Sequence, residues 1–202
     1  MYVPEKWLIK DKDRICQFLE EYAFATVVTE SLGASHVPLL FERNEKDDLV
    51  LYGHFSKNNT QANYINNGKA LAIFHGPHNY ISPSWYEKRP AVPTWNYSVV
   101  HAHGTLSITD KIITLNKLNK LVEKFDPELD PKIIDSSYKE KLLGGIVGFK
   151  IVVEDIQGKE KLGQHRCVED QRGVIDGLRN SNAIGASELL DYMLKHKVGI
   201  GE

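Results

Sequence analysis

Ala23-Phe24-Ala25-Thr26-Val27-Val28-Thr29, the turn residues Ser31-Leu32-Gly33, and then His36-Val37-Pro38-Leu39-Leu40-Phe41-Glu42 form the stretch that decides the fold. Runs rich in Val, Leu, Phe and Thr between turn signals read as strands, because branched and aromatic side chains suit a pleated, half-buried surface. The connection is too short to hold a crossover helix, so the two strands pair antiparallel. The same pattern repeats downstream at residues 48–54, 69–75 and 95–108, with turn signals at Asn44-Glu45-Lys46-Asp47 and Asn66-Asn67-Gly68. A meander of antiparallel strands follows from these spacings.

Helical periods flank it. Ile15, Phe18, Leu19 and Tyr22 recur at i, i+3, i+4 and i+7 over residues 11–22, with Asp11 as the N-cap and Cys16 beside the stripe as inert packing. Residues 110–125 place Ile112, Leu115, Leu118, Leu121, Val122 and Phe125 on one broad face that is expected to cover the sheet, and Asp126-Pro127 ends the helix. A short helix is expected over residues 59–66, capped by Asn58 or Asn59, and another over residues 186–196. Residues 146–156 return to strand character, and Gln157-Gly158 is expected to turn the chain. Strands interrupted by a few helices define an α+β domain built on a small barrel.

Composition narrows the function. The 202 residues suit one core, and 42% apolar with 26% charged residues excludes disordered, collagen-like and coiled-coil classes. A net charge of -2 supplies no overall drive towards a polyphosphate backbone. Two cysteines without metal spacing point to a reducing compartment. The N-terminus carries Glu5 and Lys6 where a secretory leader would be apolar. The longest mostly apolar stretch, residues 144–153, contains Lys150 and is half the roughly 20 residues of a membrane span. The expected location is the cytoplasm, with no membrane partner.

Three segments carry candidate chemistry. The loop from Gly53 to Thr60 brings Lys57 and Asn59 to a helix N-terminus, where a phosphate would meet a cation and free N–H groups; a capped helix with a solvated lysine is the plain alternative. The run Tyr80-Ile81-Ser82-Pro83-Ser84-Trp85-Tyr86, with Thr94-Trp95-Asn96-Tyr97 after it, suits stacking of a flat heteroaromatic ring, and equally a dimer interface. Lys161-Leu162-Gly163-Gln164-His165-Arg166 places two cations close together, an anion site if it returns to the Lys57 loop and a solvated cluster otherwise. Walker and Rossmann glycine patterns are missing, as are the nucleophile elbow around Ser84 and zinc spacing among His75, His78, His101 and His103, so no metal site is expected. Glu20-Glu21 and Asp47-Asp48 read as solvated neighbours.

At these motifs the sequence resembles the PaiB-type FMN-binding negative transcriptional regulators of protease synthesis and sporulation. The carriers are Ala34-Ser35-His36-Val37-Pro38-Leu39, Gly53-His54 with Lys57 and Asn59, Leu71-Ala72-Ile73-Phe74-His75-Gly76-Pro77, the two tryptophan blocks, Val100-His101, Gly148-Phe149, Lys161-Leu162, Gln164, Gly173-Val174-Ile175 and Gly177-Leu178. The chain departs from the family pattern at Thr60, Gly163 and His165, where proline, serine and asparagine are usual.

The resemblance implies an antiparallel split β-barrel of the pyridoxamine-phosphate-oxidase-like kind with peripheral helices, a homodimer, and FMN as cofactor. Residues 1–156 would form the barrel domain, with the N-terminal helix and the covering helix 110–125. Residues 157–202 would be an extension completing the flavin site and ending in a helix. By the same resemblance Lys57 and Asn59 lie near the flavin phosphate, and Ser82, Ser84, Trp85, Tyr86, Thr94, Trp95 and Asn96 line or support the site. Lys161, Gln164 and Arg166 close it. The function implied is negative control of protease production and sporulation through the flavin or a partner, since no helix-turn-helix pattern favours direct DNA binding. Two rival readings remain: a flavin-dependent oxidoreductase acting on a small molecule, and a haem protein using His101 or His103.

Overall fold

A computed structural model describes residues 1–130, 133 and 135–202. Eight strands form one antiparallel sheet: β1 (Leu8–Ile9), β2 (Phe24–Thr29), β3 (Ala34–Pro38), β4 (Leu40–Arg43), β5 (Leu49–Ser56), β6 (Asn66–Ile81), β7 (Thr94–Ile108) and β8 (Ile146–Lys161). Their order is β3-β2-β6-β7-β8-β5-β4, with β1 paired to β8. Five α-helices accompany them among the described residues: α1 (Lys12–Glu21), α2 (Lys111–Phe125), α3 (Ser136–Leu143), α4 (Val168–Arg179) and α5 (Ala186–His196). This is the antiparallel split-barrel class with peripheral helices. No helix among the described residues is long and apolar enough to cross a membrane.

The residues group into two compact units. One comprises Cys16–Phe74 and His101–Ile156, the other Met1–Ile15, His75–Val100 and Gln157–Glu202. The long strands β6, β7 and β8 contribute residues to both.

In the first unit β2 pairs with β3 from Phe24↔Pro38 to Val28↔Ala34, and with β6 from Ala25↔Phe74 to Thr29↔Ala70. The period of two sends Ala25, Val27, Ala72 and Phe74 into the core. Leu39 interrupts the second sequence run: its N–H donates to Ala23 O at 2.8 Å and its side chain is buried, so one expected strand becomes β3 and β4. β5 lies on β8 in the register Gly53↔Phe149 and His54↔Gly148. Phe55 and Phe149 pack with ring centroids 4.4 Å apart, and a Cβ on Gly53 would stand 2.7 Å from both Leu39 and Phe149 side chains. The start of α2 is fixed by Asp110, which accepts the Ile113 N–H at 2.7 Å, and by Thr114, whose hydroxyl donates to Asp110 O at 2.7 Å and lies 2.9 Å from that of Thr109. Thr114 alone of its described residues is buried, so α2 leaves most of its apolar stripe partly open instead of sealing it.

In the second unit β1 meets the end of β8 through Leu8↔Lys159 and Ile9↔Gly158. The sequence marks Gln157-Gly158 as a turn; the structure runs β8 straight through it, and the glycine serves close approach, since a Cβ there would stand 2.8 Å from Ile9 Cδ1. Glu160 accepts from Arg14 Nε at 3.1 Å and Nη2 at 2.6 Å and from the Tyr192 hydroxyl, joining β8 to the first turn of α1 and to α5. Helix α4, which the sequence reading did not single out, carries Gly173 and Gly177 against Trp85.

Candidate cofactor site

The second unit assembles a cationic, donor-rich face at the end of β8. Lys159 and Lys161 are two residues apart and share a face of the strand, with Glu160 turned the other way to Arg14 and Tyr192. Lys159 is only 8% exposed; its ammonium donates to Tyr2 O at 3.2 Å and lies 5.8, 5.5 and 5.2 Å from the rings of Tyr2, Trp7 and Tyr97. Lys161 Nζ donates to Thr94 Oγ1 and, at 2.7 Å, to Trp95 O, and sits 5.8 Å from the Trp7 ring. Lys6 approaches the same ring at 4.8 Å, and His165 meets it edge-on at 5.8 Å.

Among the described residues neither Lys159 nor Lys161 has a carboxylate partner. Burial, then Lys159 and Arg166, lower the Lys161 pKa; burial, then Lys6, Arg166 and Lys161, lower that of His165. Beyond burial, both shifts carry the repulsion of neighbouring cations, which a bound anion would relieve.

Two buried donors there lack a partner among the described residues: the Trp7 indole N–H and the Asn96 amide Nδ2. Asn96 is 2% exposed, and Gly163 stands beside it with φ +81°, so that a Cβ on Gly163 would lie 3.7 Å from Nδ2. A positive φ suits glycine, which accounts locally for Gly163 where the family usually carries serine. An unsatisfied buried donor costs stability unless a ligand or water accepts from it.

The remaining expected residues play several parts. Gln164 closes the strand end, accepting the Leu162 N–H at 2.9 Å and donating to Glu160 O at 2.6 Å. Arg166 lies 4.1 Å over the Tyr86 ring and 3.4 Å from Asp170, which in turn accepts the Lys88 N–H at 2.9 Å. Burial pushes the Asp170 carboxyl up, but the Lys88 N–H and the Arg166 charge outweigh it and hold its pKa below 3.8. Ser82 caps the single turn Pro83–Trp85, accepting the Ser84 N–H at 3.2 Å, with the two hydroxyls 2.7 Å apart. Trp85 is laid on α4. Trp95 is instead 54% exposed, with His78 at 6.1 Å and Tyr80 at 6.3 Å forming an open aromatic surface beside Lys161.

Lys57 and Asn59 belong to the other unit. The Lys57 side chain is exposed, and its N–H donates to Gly145 O at 2.8 Å. Asn59 donates to Ser35 Oγ at 2.7 Å and accepts the Gln61 N–H at 3.0 Å. The helix expected over residues 59–66 is a 3-10 turn, Thr60–Tyr64, followed at once by β6. One such turn carries no α-helical macrodipole, so the helix-end argument for phosphate there falls, leaving the Lys57 charge. Gln61, which the sequence did not single out, is 3% exposed and staples the hairpin by donating to Gly33 O at 2.7 Å, Val27 O at 3.2 Å and Thr29 Oγ1 at 3.2 Å. Its signal is hard to see in sequence because its partners lie 28 to 34 residues away.

FMN offers a planar ring edged with acceptors and a dianionic phosphate. A carboxylate-free pair of ammonium groups, an orphaned amide donor and an open tryptophan surface are the groups such a molecule requires, so the residues present fit it. Among the described residues no three His, Cys, Asp or Glu side chains gather as a metal site.

Fold and site together define a flavin-binding split barrel. A family model described as "Putative FMN-binding domain" matches residues 1–155, and the chain belongs to that family, whose cofactor is FMN. It is 40% identical over 210 residues to the Bacillus subtilis (strain 168) "Protease synthase and sporulation protein PAI 2", covering 98% of this chain and 100% of that protein. An uncharacterised protein of Emericella nidulans is 30% identical over 73% of this chain and 75% of its own. Among solved structures, the flavocytochrome Anf3 of Azotobacter vinelandii superposes with a TM-score of 0.60 at 16% identity, over 80% of this chain and 73% of that one. A FAD and heme binding protein from Mycobacterium smegmatis gives 0.52 at 15%, over 76% and 72%. At such identities these two likenesses show the fold alone.

Proposed function

We propose that the chain is a homodimeric, FMN-bound negative regulator of protease synthesis and sporulation that acts through its flavin or a protein partner and not by docking on operator DNA. The observation that carries this reading is the 40% identity to the Bacillus subtilis sporulation protein along the whole of both chains. The net charge of -2 supports the indirect route, because duplex binding draws on lysine and arginine in excess.

In this reading Lys161, held by Thr94 and the Trp95 carbonyl, supplies the principal charge to the flavin, and Lys159 and Arg166 reinforce it. Asn96 donates to a ring acceptor, Trp95 offers a stacking face, and Lys57 contributes to the phosphate. Bound FMN supplies reversible redox chemistry; the chain's part is to hold, orient and electrostatically bias it. Ser82, Ser84, Trp85, Tyr86 and Gln164 support the site by fixing the turn, α4 and the strand end. Asn59 does so by fixing its hairpin.

The test is an FMN titration followed by flavin fluorescence on the full chain, with light scattering before and after loading. Lys161→Met and Lys57→Ala should each weaken FMN by about tenfold or more, the loss expected for one charge-assisted hydrogen bond, with the dimer intact. Unchanged affinity in both variants refutes the site. Retardation of target promoter DNA by the FMN-loaded dimer at physiological salt refutes the indirect route. Rapid catalytic turnover of flavin with NAD(P)H and a small acceptor assigns the chain to the oxidoreductases instead.

A further inference from the structure

In the unit formed by Cys16–Phe74 and His101–Ile156 a groove of about 350 Å³ lies between α2 and α3, and the flavin reading makes no use of it. Leu115, Leu118 and Val122 line it from α2 together with Asn119, Leu142 and Leu143 from α3 together with Lys139, and Ile146 from the start of β8. The stripe that the sequence expected to cover the sheet is thus turned partly into this groove, with Val122 44% and Leu142 50% exposed at its lips.

One polar ring reaches the lining from the sheet. His54 on β5 borders the groove, and together with Leu118 it also borders a second, inner gap of about 10 Å³ beside Thr109 and Thr114, room for a single water. Among the described residues the His54 imidazole has no hydrogen-bond partner. Burial lowers its pKa below 6.5, which keeps the ring neutral at pH 7 with one donor and one acceptor to offer.

We propose that the α2–α3 groove is a binding site for a small, largely apolar molecule with a hydrogen-bonding group met by His54. Three observations select that occupant over a second copy of the chain. The volume falls in the ~300–1,000 Å³ range of small-molecule sites. Nine of the described residues line the groove, whereas a standard subunit interface draws on about 20–30 residues a side. Six aliphatic side chains beside His54, Asn119 and Lys139 also follow the usual design of such a pocket, apolar walls for affinity and a few polar groups for orientation.

N-phenyl-1-naphthylamine, an uncharged bicyclic aromatic with a single N–H, is a suitable probe. Added to the FMN-loaded full chain, it should bind saturably at one site per chain with enhanced fluorescence. Val122→Trp, which fills the lip, should weaken it by about tenfold or more, and His54→Phe by about three- to tenfold, the loss of one neutral hydrogen bond. Methyl resonances of Leu115, Leu118, Val122 and Leu142 in the unmutated protein should shift with the titration, a readout that needs no variant to fold. Absence of saturable binding, methyl shifts elsewhere only, or displacement of the probe by stoichiometric FMN overturns the proposal. So does a Val122→Trp chain that falls from dimer to monomer, because the groove would then be a subunit contact.

Discussion

Arg14→Met isolates the buried ion pair that ties the N-terminal segment and α5 to the end of β8. The Glu160 side chain is 8% exposed and that of Arg14 20%, with the closest approach 2.6 Å. Burial works against the Arg14 charge, but the hydrogen bonds and attraction of Glu160 outweigh it and raise the guanidinium pKa, so the folded state favours the charged guanidinium. Methionine preserves much of the aliphatic bulk while leaving the carboxylate with the Tyr192 hydroxyl alone. Breaking a buried pair costs about 3–5 kcal/mol, and the partial exposure of Arg14 argues for about 3. At about 2–4 °C per kcal/mol for a chain of this size, the melting temperature should fall by about 6–12 °C. Thermal unfolding followed by circular dichroism at pH 7 measures it. Adding Glu160→Gln to Arg14→Met should recover about 1–2 kcal/mol, because the neutral amide no longer strands a charge. A fall below about 2 °C, or strictly additive single and double variants, refutes the view that the pair is buried and coupled.

Other substitutions test other layers of the fold. Gly148→Ala should lower stability by about 2–3 kcal/mol in a urea melt, because its Cβ would stand 2.6 Å from Thr109 Oγ1 and 2.7 Å from Thr114 Cγ2; a neutral result would mean that the Thr109–Thr114 pair yields freely. Asp110→Ala should cost about 1 kcal/mol by releasing the Ile113 N–H, read as faster amide exchange in the first turn of α2. The depressed pKa of Asp170 contributes stability that is fully present above 3.8 and is lost as pH falls through the lowered value. The urea midpoint should therefore drop less steeply between about pH 5 and about pH 2 in Asp170→Asn than in the unmutated chain; parallel curves would remove Asp170 from the acid transition.

Elements whose own residues carry the period were legible. Helices α1, α2 and α5 stand within a residue or two of their stripes, and the β2–β3 hairpin follows from its turn. What escaped did so because its cause lies elsewhere in the chain. Gly158 resembles a turn locally, yet it is the place where Ile9 crosses β8. Gly173 and Gly177 dilute the helical signal of α4 because Trp85, about ninety residues earlier in the sequence, occupies the space their side chains would fill. Of the site, Lys161, Trp95 and Asn96 could be named from motif positions. Trp7 and Lys159 could not, since their significance arises only when β1 pairs with β8. Lys57 and Asn59 were legible as a loop, but the helix end expected beneath them shortened to one 3-10 turn.

The glycines of α4 make that helix a dependent element. Alanine, the usual remedy for a weak helix, is barred at both positions by Trp85, so α4 keeps a low intrinsic propensity and draws its persistence from docking. Arg166 and Asp170 sit at its entrance, and they share the fate of the docked helix. Undocking of Trp85 would release α4 and the Arg166–Asp170 clamp as one cooperative opening unit, with a common exchange free energy across the amides of residues 168–179. The arginine beside the cationic end of β8 is therefore held through a docked helix, while Lys159 and Lys161 keep their own anchors on the strand.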